Sequence, residues 1–481
     1  MLRACARFWL SRRLFVLIGL SYAYFYQGGD PNQTSRLELT SAIVERHSIE
    51  MAHPALTIDK SRSGGRFFTD KAPLVSWLAV APYAAARAIE RATGVDGDER
   101  AVRQARFHAV VFAVVGVAGV FAAYFLRRAL LDLGTPGRFA SLLTVAYALG
   151  TPAFPFSTVF YGHQVAAALL LALFCSMTRV RARPGAAADR APSVARALAL
   201  GLLTGAAFVT EYPTAVALAV LWIWFVASDD RAHLARTLLF AALGAAIPLA
   251  AHAAYDYAAF GRMLDLPYSH VVEPIFAAGG LRLGNVTSSS VGGTFVSPFR
   301  GLFFFSPVLA LSFAGFGFWL RDREERGVLL AVIAVLGAYA VFTCSFYYWD
   351  GGMSVGPRHL LPVLPFLVLP LGYVVRRGPA WAALTIALSA MSIAFMYACT
   401  AVRVELPTDE RNPLYDVVAA SLARGEVATN REDPFEASAR ADASYNLGQL
   451  AGLPPLTSLL VIPAAWALAF AWPRRGRMVT S

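Results

Sequence analysis

Apolar residues in this chain of 481 residues come in runs close to the roughly twenty needed to cross a bilayer, and they do not alternate with polar ones. Leu302 to Leu320 and Gly327 to Tyr347 are examples. Between the runs lie short stretches dense in arginine and longer ones of mixed polarity. Backbone polar groups inside a bilayer are satisfied only in helices or a closed barrel, and continuous runs are not barrel strands. The pattern predicts an all-α polytopic membrane protein forming one integral membrane domain over 1–481, with about twelve transmembrane helices. Composition agrees: 57% of residues are hydrophobic and 15% charged, and mean hydropathy is +0.53.

The net charge of +11 says less than where the arginines sit. They cluster at Arg3, Arg7, Arg12 and Arg13; at Arg127, Arg128 and Arg138; from Arg179 to Arg196; at Arg231 and Arg236; from Arg321 to Arg326; at Arg376 and Arg377; and from Arg474 to Arg477. Short arginine-rich loops belong in the cytoplasm. Both termini are then expected inside, and the regions 27–106, 154–163, 257–300, 348–357 and 400–454 outside. Ala72 to Ile89 is apolar enough to span, but a crossing there would invert the charge rule for two following loops, so it is expected to be an interfacial helix of the first outer loop. Nucleic acid is not an expected partner. Cys5, Cys175, Cys344 and Cys399 show no paired metal-ligand spacing and read as small hydrophobes.

Only two of the 42 basic residues are lysines, Lys60 and Lys71, and each follows an aspartate. In so arginine-rich a chain, a compact ammonium on a flexible stem marks a candidate site, although two surface lysines retained by chance would look the same. Asp59-Lys60 and Asp70-Lys71 are separated by a turn at Gly64-Gly65. Upstream, Asp30-Pro31 predicts a capped helix start that places Asn32, Ser35 and Arg36 on one face. The polar groups gather outside the spans, in the outer regions, which directs attention to the outer membrane face.

These stretches resemble the polyprenyl-phosphate-sugar-dependent membrane glycosyltransferases of the C-type fold, relatives of protein O-mannosyltransferases and the lipid A aminoarabinose transferase. The resemblance covers most of the chain. It rests on Asn32-Gln33-Thr34-Ser35-Arg36, on Asp70-Lys71-Ala72-Pro73, on Gly301 to Pro307, and on Gly356-Pro357-Arg358-His359-Leu360-Leu361-Pro362. Two departures stand out. Gln33 occupies the position where better-studied members carry an acidic residue, and the second outer loop offers Tyr161-Gly162-His163 in place of a carboxylate.

The resemblance implies transfer of a sugar from a polyprenyl phosphate or diphosphate to an acceptor hydroxyl, with inversion, at the outer face of a bacterial cytoplasmic membrane. The acceptor would be a glycan, a lipid or a protein. Asp30, Asp59 and Asp70 are the candidate bases, with Asp59 favoured. Arg36, Lys60, Lys71 and Arg358 are candidates for binding the donor phosphate. Asn32, Tyr161, His163, Tyr268, His270, Asp350 and His359 are candidate substrate contacts, although either histidine could simply cap a helix. Tyr347, Tyr348 and Trp349 could stack on a sugar or anchor helix ends. Glu211, between two short apolar segments, is a carboxylate at membrane depth or at a loop. No cofactor is required; a divalent metal is compatible with the acidic residues, but no ligand spacing demands one. A lipid or polysaccharide transporter or flippase, or a scaffold subunit, is the alternative.

Overall fold

A computed structural model describes residues 2–180, 193–228, 231–274, 283–430 and 444–471. The arginine clusters at 181–190 and 474–477, and parts of the regions 257–300 and 400–454, lie outside the described residues. Nearly all regular structure is helical; the strands are two short antiparallel pairs.

Four helices among the described residues are long and apolar enough to cross a membrane: Arg100–Asp132, His233–Phe260, Arg326–Ser345 and Pro379–Val402. Shorter apolar helices account for other runs, among them His163–Arg179, Val194–Thr210, Thr214–Ser228 and Arg358–Val374. The run from Leu302 is broken, because Pro307 has no N–H to continue the short helix Leu302–Phe305. His163–Val180 is buried on almost every side and apolar all round, as expected for the centre of a bundle. Val194–Thr210 and Arg231–Phe260 approach closely through glycine. A Cβ on Gly201 would lie 1.7 Å from the Ala241 carbonyl oxygen, and one on Gly244 would lie 2.1 Å from that of Leu198. Small residues of this kind let backbones meet where hydrophobic burial gives no net drive between helices.

Leu74–Thr93 covers most of the segment expected at the interface. Its buried residues Val75, Ser76, Ala79, Tyr83 and Glu90 repeat at helical spacing, and Leu78 and Ile89 are exposed. It packs on Pro31–Arg46, where the Tyr83 hydroxyl donates to Glu45 Oε1 at 2.7 Å. Its far end is tied down by Arg106, whose Nη1 lies 2.7 Å from Glu90 Oε2.

Segments distant in sequence converge on Arg300, which is fully buried. Its Nη1 donates to the Phe299 carbonyl at 2.9 Å, and its Nη2 to those of Gly352, Leu406 and Pro407 at 2.9, 3.0 and 3.0 Å. One guanidinium thus links the segment before Gly301, the turn at Gly351-Gly352 and the start of the region 400–454.

Candidate active site

The Asp30-Pro31 start forms as expected. Asp30 Oδ1 accepts the backbone N–H groups of Asn32 at 2.6 Å and Gln33 at 3.1 Å, and Pro31 sits at the first helical position. One turn on, Arg36 is held by three partners: its Nε donates to Asn32 Oδ1 at 3.0 Å, its Nη1 to the Ala72 carbonyl at 3.0 Å and its Nη2 to Glu211 Oε1 at 2.9 Å.

The two Asp-Lys pairs are brought together by a hairpin. Lys60–Ser63 pairs antiparallel with Arg66–Thr69 in the register Lys60 to Thr69. Gly64 and Gly65 supply the turn with φ of 53° and 82°, which glycine adopts without a Cβ penalty. The residue before the first strand therefore stands beside the residues after the second. Lys71 Nζ reaches Asp59 Oδ2 at 2.8 Å and Asp70 Oδ2 at 3.0 Å. The hairpin is fixed from outside by Ser61, whose hydroxyl donates to the Pro267 carbonyl at 2.6 Å.

These groups open onto one cleft of about 990 Å³, its mouth included. Asn32, Arg36, Asp59, Asp70, Lys71, His163, Tyr268, Arg358 and His359, all expected from sequence, line it. Tyr339, Phe342, Phe346, Tyr347, Tyr348, Val271 and the prolines 213 and 362 complete a largely aromatic and apolar wall. Arg358 forms no ion pair among the described residues. Its Nη1 donates to the Tyr161 hydroxyl at 3.4 Å, and its guanidinium lies 5.4 Å from that ring's centre.

Glu211 also lines the cleft. It stands beside Tyr161-Gly162-His163, the stretch without a carboxylate of its own: a Cβ on Gly162 would lie 2.3 Å from Glu211 Oε1, so the glycine makes room for an acid supplied from another turn. His163 Nδ1 is 3.7 Å from the same oxygen. The signal in the sequence was an acid between two apolar segments; its partner could not be read because Arg36 is 175 positions away.

Five expected residues stand outside the lining. Asp30 is buried behind it, where its Oδ2 accepts the Tyr161 hydroxyl, and Tyr161 itself is buried under Arg358. Lys60 turns away, its Nζ donating to the Pro54 carbonyl. His270 stacks on Phe260 with ring centres 4.4 Å apart and pairs with Asp265 at 3.1 Å. Asp350 accepts the Gly352 N–H at 3.2 Å and so holds the turn beside Arg358.

Burial pushes the Asp70 carboxyl up to about 6, with Lys71 pulling the other way and Asp59 adding to the rise. Burial alone would lower the Lys71 ammonium, but Asp59 first and Asp70 second more than offset it and raise it. Asp59 is therefore the main counter-ion of Lys71, and the burial of Asp70 is only partly offset by that lysine. Behind the cleft, burial and then Asp30 push Glu405 well up, and burial raises Asp30, with the Tyr161 hydroxyl opposing.

No family model and no curated protein matches the chain in sequence. Solved structures do match in fold. The chain is similar to ArnT from Cupriavidus metallidurans bound to undecaprenyl phosphate, with 16% identity and a TM-score of 0.53 over 95% of this chain and 74% of that one. It is also similar to the archaeal oligosaccharyltransferase AglB from Archaeoglobus fulgidus in complex with an inhibitory peptide and a dolichol-phosphate. There identity is 14% and the TM-score 0.50, over 85% of this chain and 55% of that one. The chain spans about half the length of the archaeal protein. The fold is that of the C-type membrane glycosyltransferases, as the sequence motifs led one to expect.

Proposed function

We propose that the protein transfers a sugar from a polyprenyl-phosphate or polyprenyl-diphosphate donor to an acceptor hydroxyl, in envelope glycan, glycolipid or protein glycosylation. The observation that carries this reading is the Asp59–Lys71 pair at 2.8 Å in a cleft shared with Arg358, which forms no ion pair among the described residues, and an aromatic wall. In the proposed reaction Asp59 takes the proton of the acceptor hydroxyl while the acceptor oxygen bonds to the anomeric carbon. The bond from that carbon to the lipid phosphate breaks, and its electron pair leaves on the phosphate oxygen. Arg358, Lys71 and Arg36 stabilise the charge developing there. Attack opposite the leaving phosphate inverts the anomeric carbon. Asn32, His163, Tyr268 and His359 bound the space left for the sugar and acceptor. Among the described residues no three His, Cys, Asp or Glu side chains converge as metal ligands would, and the proposed chemistry uses none.

This reading places the protein in a bacterial cytoplasmic membrane as a single domain of about twelve spans, with both termini inside and the cleft facing out. The regions 27–106, 257–300 and 400–454 would build the outer surface around the cleft, with the helix Leu74–Thr93 lying in the interface. Transfer of labelled sugar from a panel of polyprenyl-phosphate donors tests it. Asp59→Asn should lower turnover about 10²- to 10⁴-fold, the range for a lost general base, while donor binding persists. Full turnover by Asp59→Asn would remove Asp59 as the base. No consumption of any donor by the wild type would sink the transferase reading and favour a lipid or polysaccharide transporter.

A further inference from the structure

The chain carries a second basic cleft at the opposite end of the bundle. The apolar stretch that begins at Arg358, in the reaction cleft, runs through Val374 to Arg376 and Arg377. At about 1.5 Å per residue this is roughly 25 Å of helix, close to a bilayer's hydrocarbon core. There, Phe318, Arg321, Asp322, Tyr373, Arg376 and Arg377 surround about 720 Å³ of space, mouth included.

All three arginines are exposed, and none forms an ion pair among the described residues. The single carboxylate, Asp322, is turned toward Tyr373, whose hydroxyl donates to its Oδ2 at 3.1 Å. The guanidiniums are nonetheless held in place. Arg376 lies 4.0 Å from the centre of the Tyr373 ring, with its Nε on the Gly372 carbonyl at 3.0 Å and its Nη1 on that of Leu133 at 3.3 Å. Arg377 lies 4.7 Å from the centre of the Phe318 ring and donates through Nη2 to the Phe318 carbonyl at 3.2 Å; Arg321 shares that ring at 6.0 Å. Stacking and carbonyl bonds remove side-chain freedom before any ligand arrives, and they leave further N–H donors for an anion. Beside the cleft, Leu320 is an exposed apolar residue, and Trp381 packs edge-on against Phe318 at 5.5 Å. Charge at the head-group level, next to apolar and tryptophan surface below it, is the chemistry of a phospholipid.

We propose that this cleft binds the phosphodiester head group of an anionic phospholipid, with Arg321, Arg376 and Arg377 as its cationic contacts and the acyl chains along the Leu320 side. The inference is independent of the transferase reading, because it uses only the fold and the residues at this end.

Native mass spectrometry of the full chain in detergent, titrated with dioleoyl phosphatidylglycerol, dioleoyl phosphatidylcholine or inorganic phosphate, tests it. The wild type should retain phosphatidylglycerol at least tenfold more tightly than phosphatidylcholine. Arg376→Gln combined with Arg377→Gln should abolish that preference, and Arg128→Gln, on the helix Arg100–Asp132 and outside the lining of this cleft, should leave it intact. The charge-keeping pair Arg376→Lys and Arg377→Lys should fall between. Equal retention of the two lipids, or a preference that survives the double glutamine variant, overturns the proposal. Displacement of phosphatidylglycerol by equimolar inorganic phosphate would instead make this a site for free anions.

Discussion

The two basic clefts of this protein hold their cations by different means. In the reaction cleft Arg36 and Lys71 are buried or nearly so, and each meets a carboxylate within 3.0 Å. At the other end Arg321, Arg376 and Arg377 are exposed and rely on aromatic rings and backbone carbonyls. Desolvation explains the difference. A buried charge needs a counter-charge and filled hydrogen bonds, whereas an exposed one keeps its water. Pairing of Arg36 and Lys71 fixes their positions at the cost of net charge; the second cleft, with three arginines against the one carboxylate of Asp322, stays positive and gains order by stacking.

Breaking the buried pairing should have the largest effect. Glu211→Ala leaves the Arg36 guanidinium without its carboxylate, and loss of one member of a buried pair costs about 3–5 kcal/mol. A marked fall in the thermal midpoint in detergent is expected. Replacing both residues with apolar ones of similar size should recover most of that midpoint without recovering transfer. An unchanged midpoint in Glu211→Ala would show that the pair is not holding the cleft.

A smaller effect of opposite sign is expected at Asp70. Its folded carboxyl titrates near 6 against 3.8 when free, so its contribution to stability is complete below about 4 and is lost as the pH rises through 6. The shift corresponds to on the order of 3 kcal/mol. Asp70→Asn should raise the thermal midpoint at pH 7.5 and flatten the gain that the wild type shows on acidification from 7.5 to 5. Part of the gain at pH 7.5 is offset by the lost contact with Lys71. A wild-type midpoint that does not move over that range would contradict the assignment. The smallest effect is expected at the exposed end, where Arg377→Gln should shift lipid-free stability by no more than about 0.5 kcal/mol, as for most surface substitutions.

How much of this was legible in the sequence depended on range. The cap at Asp30, the turn at Gly64-Gly65 and the alignment of Asn32 with Arg36 are set within a few residues, and local stereochemistry dictates them. The hairpin register follows from the same turn, so the meeting of Asp59 with Lys71 was implicit in the strand lengths. The motif resemblance named Arg358 and His359, and both line the same cleft as Asp59 and Lys71. What sequence could not supply was direction. Lys60 and Lys71 look alike as Asp-Lys pairs, yet opposite ends of the hairpin send one to the Pro54 carbonyl and the other into the cleft. Glu211 and Arg300 escaped as site and clamp because their partners are brought close only by packing of the whole bundle.

The lining of the reaction cleft has a consequence for any anion that enters it. With Asp70 ionised, Arg36, Lys71 and Arg358 stand against Asp59, Asp70 and Glu211, so the charges cancel. An arriving anion would tip the sum negative, and Asp70, whose carboxyl burial pushes up to about 6, would then be favoured to take up a proton. Anion and proton would then be thermodynamic partners: an anion settling in the cleft would draw hydrogen ion from the surroundings, and its departure would give it back.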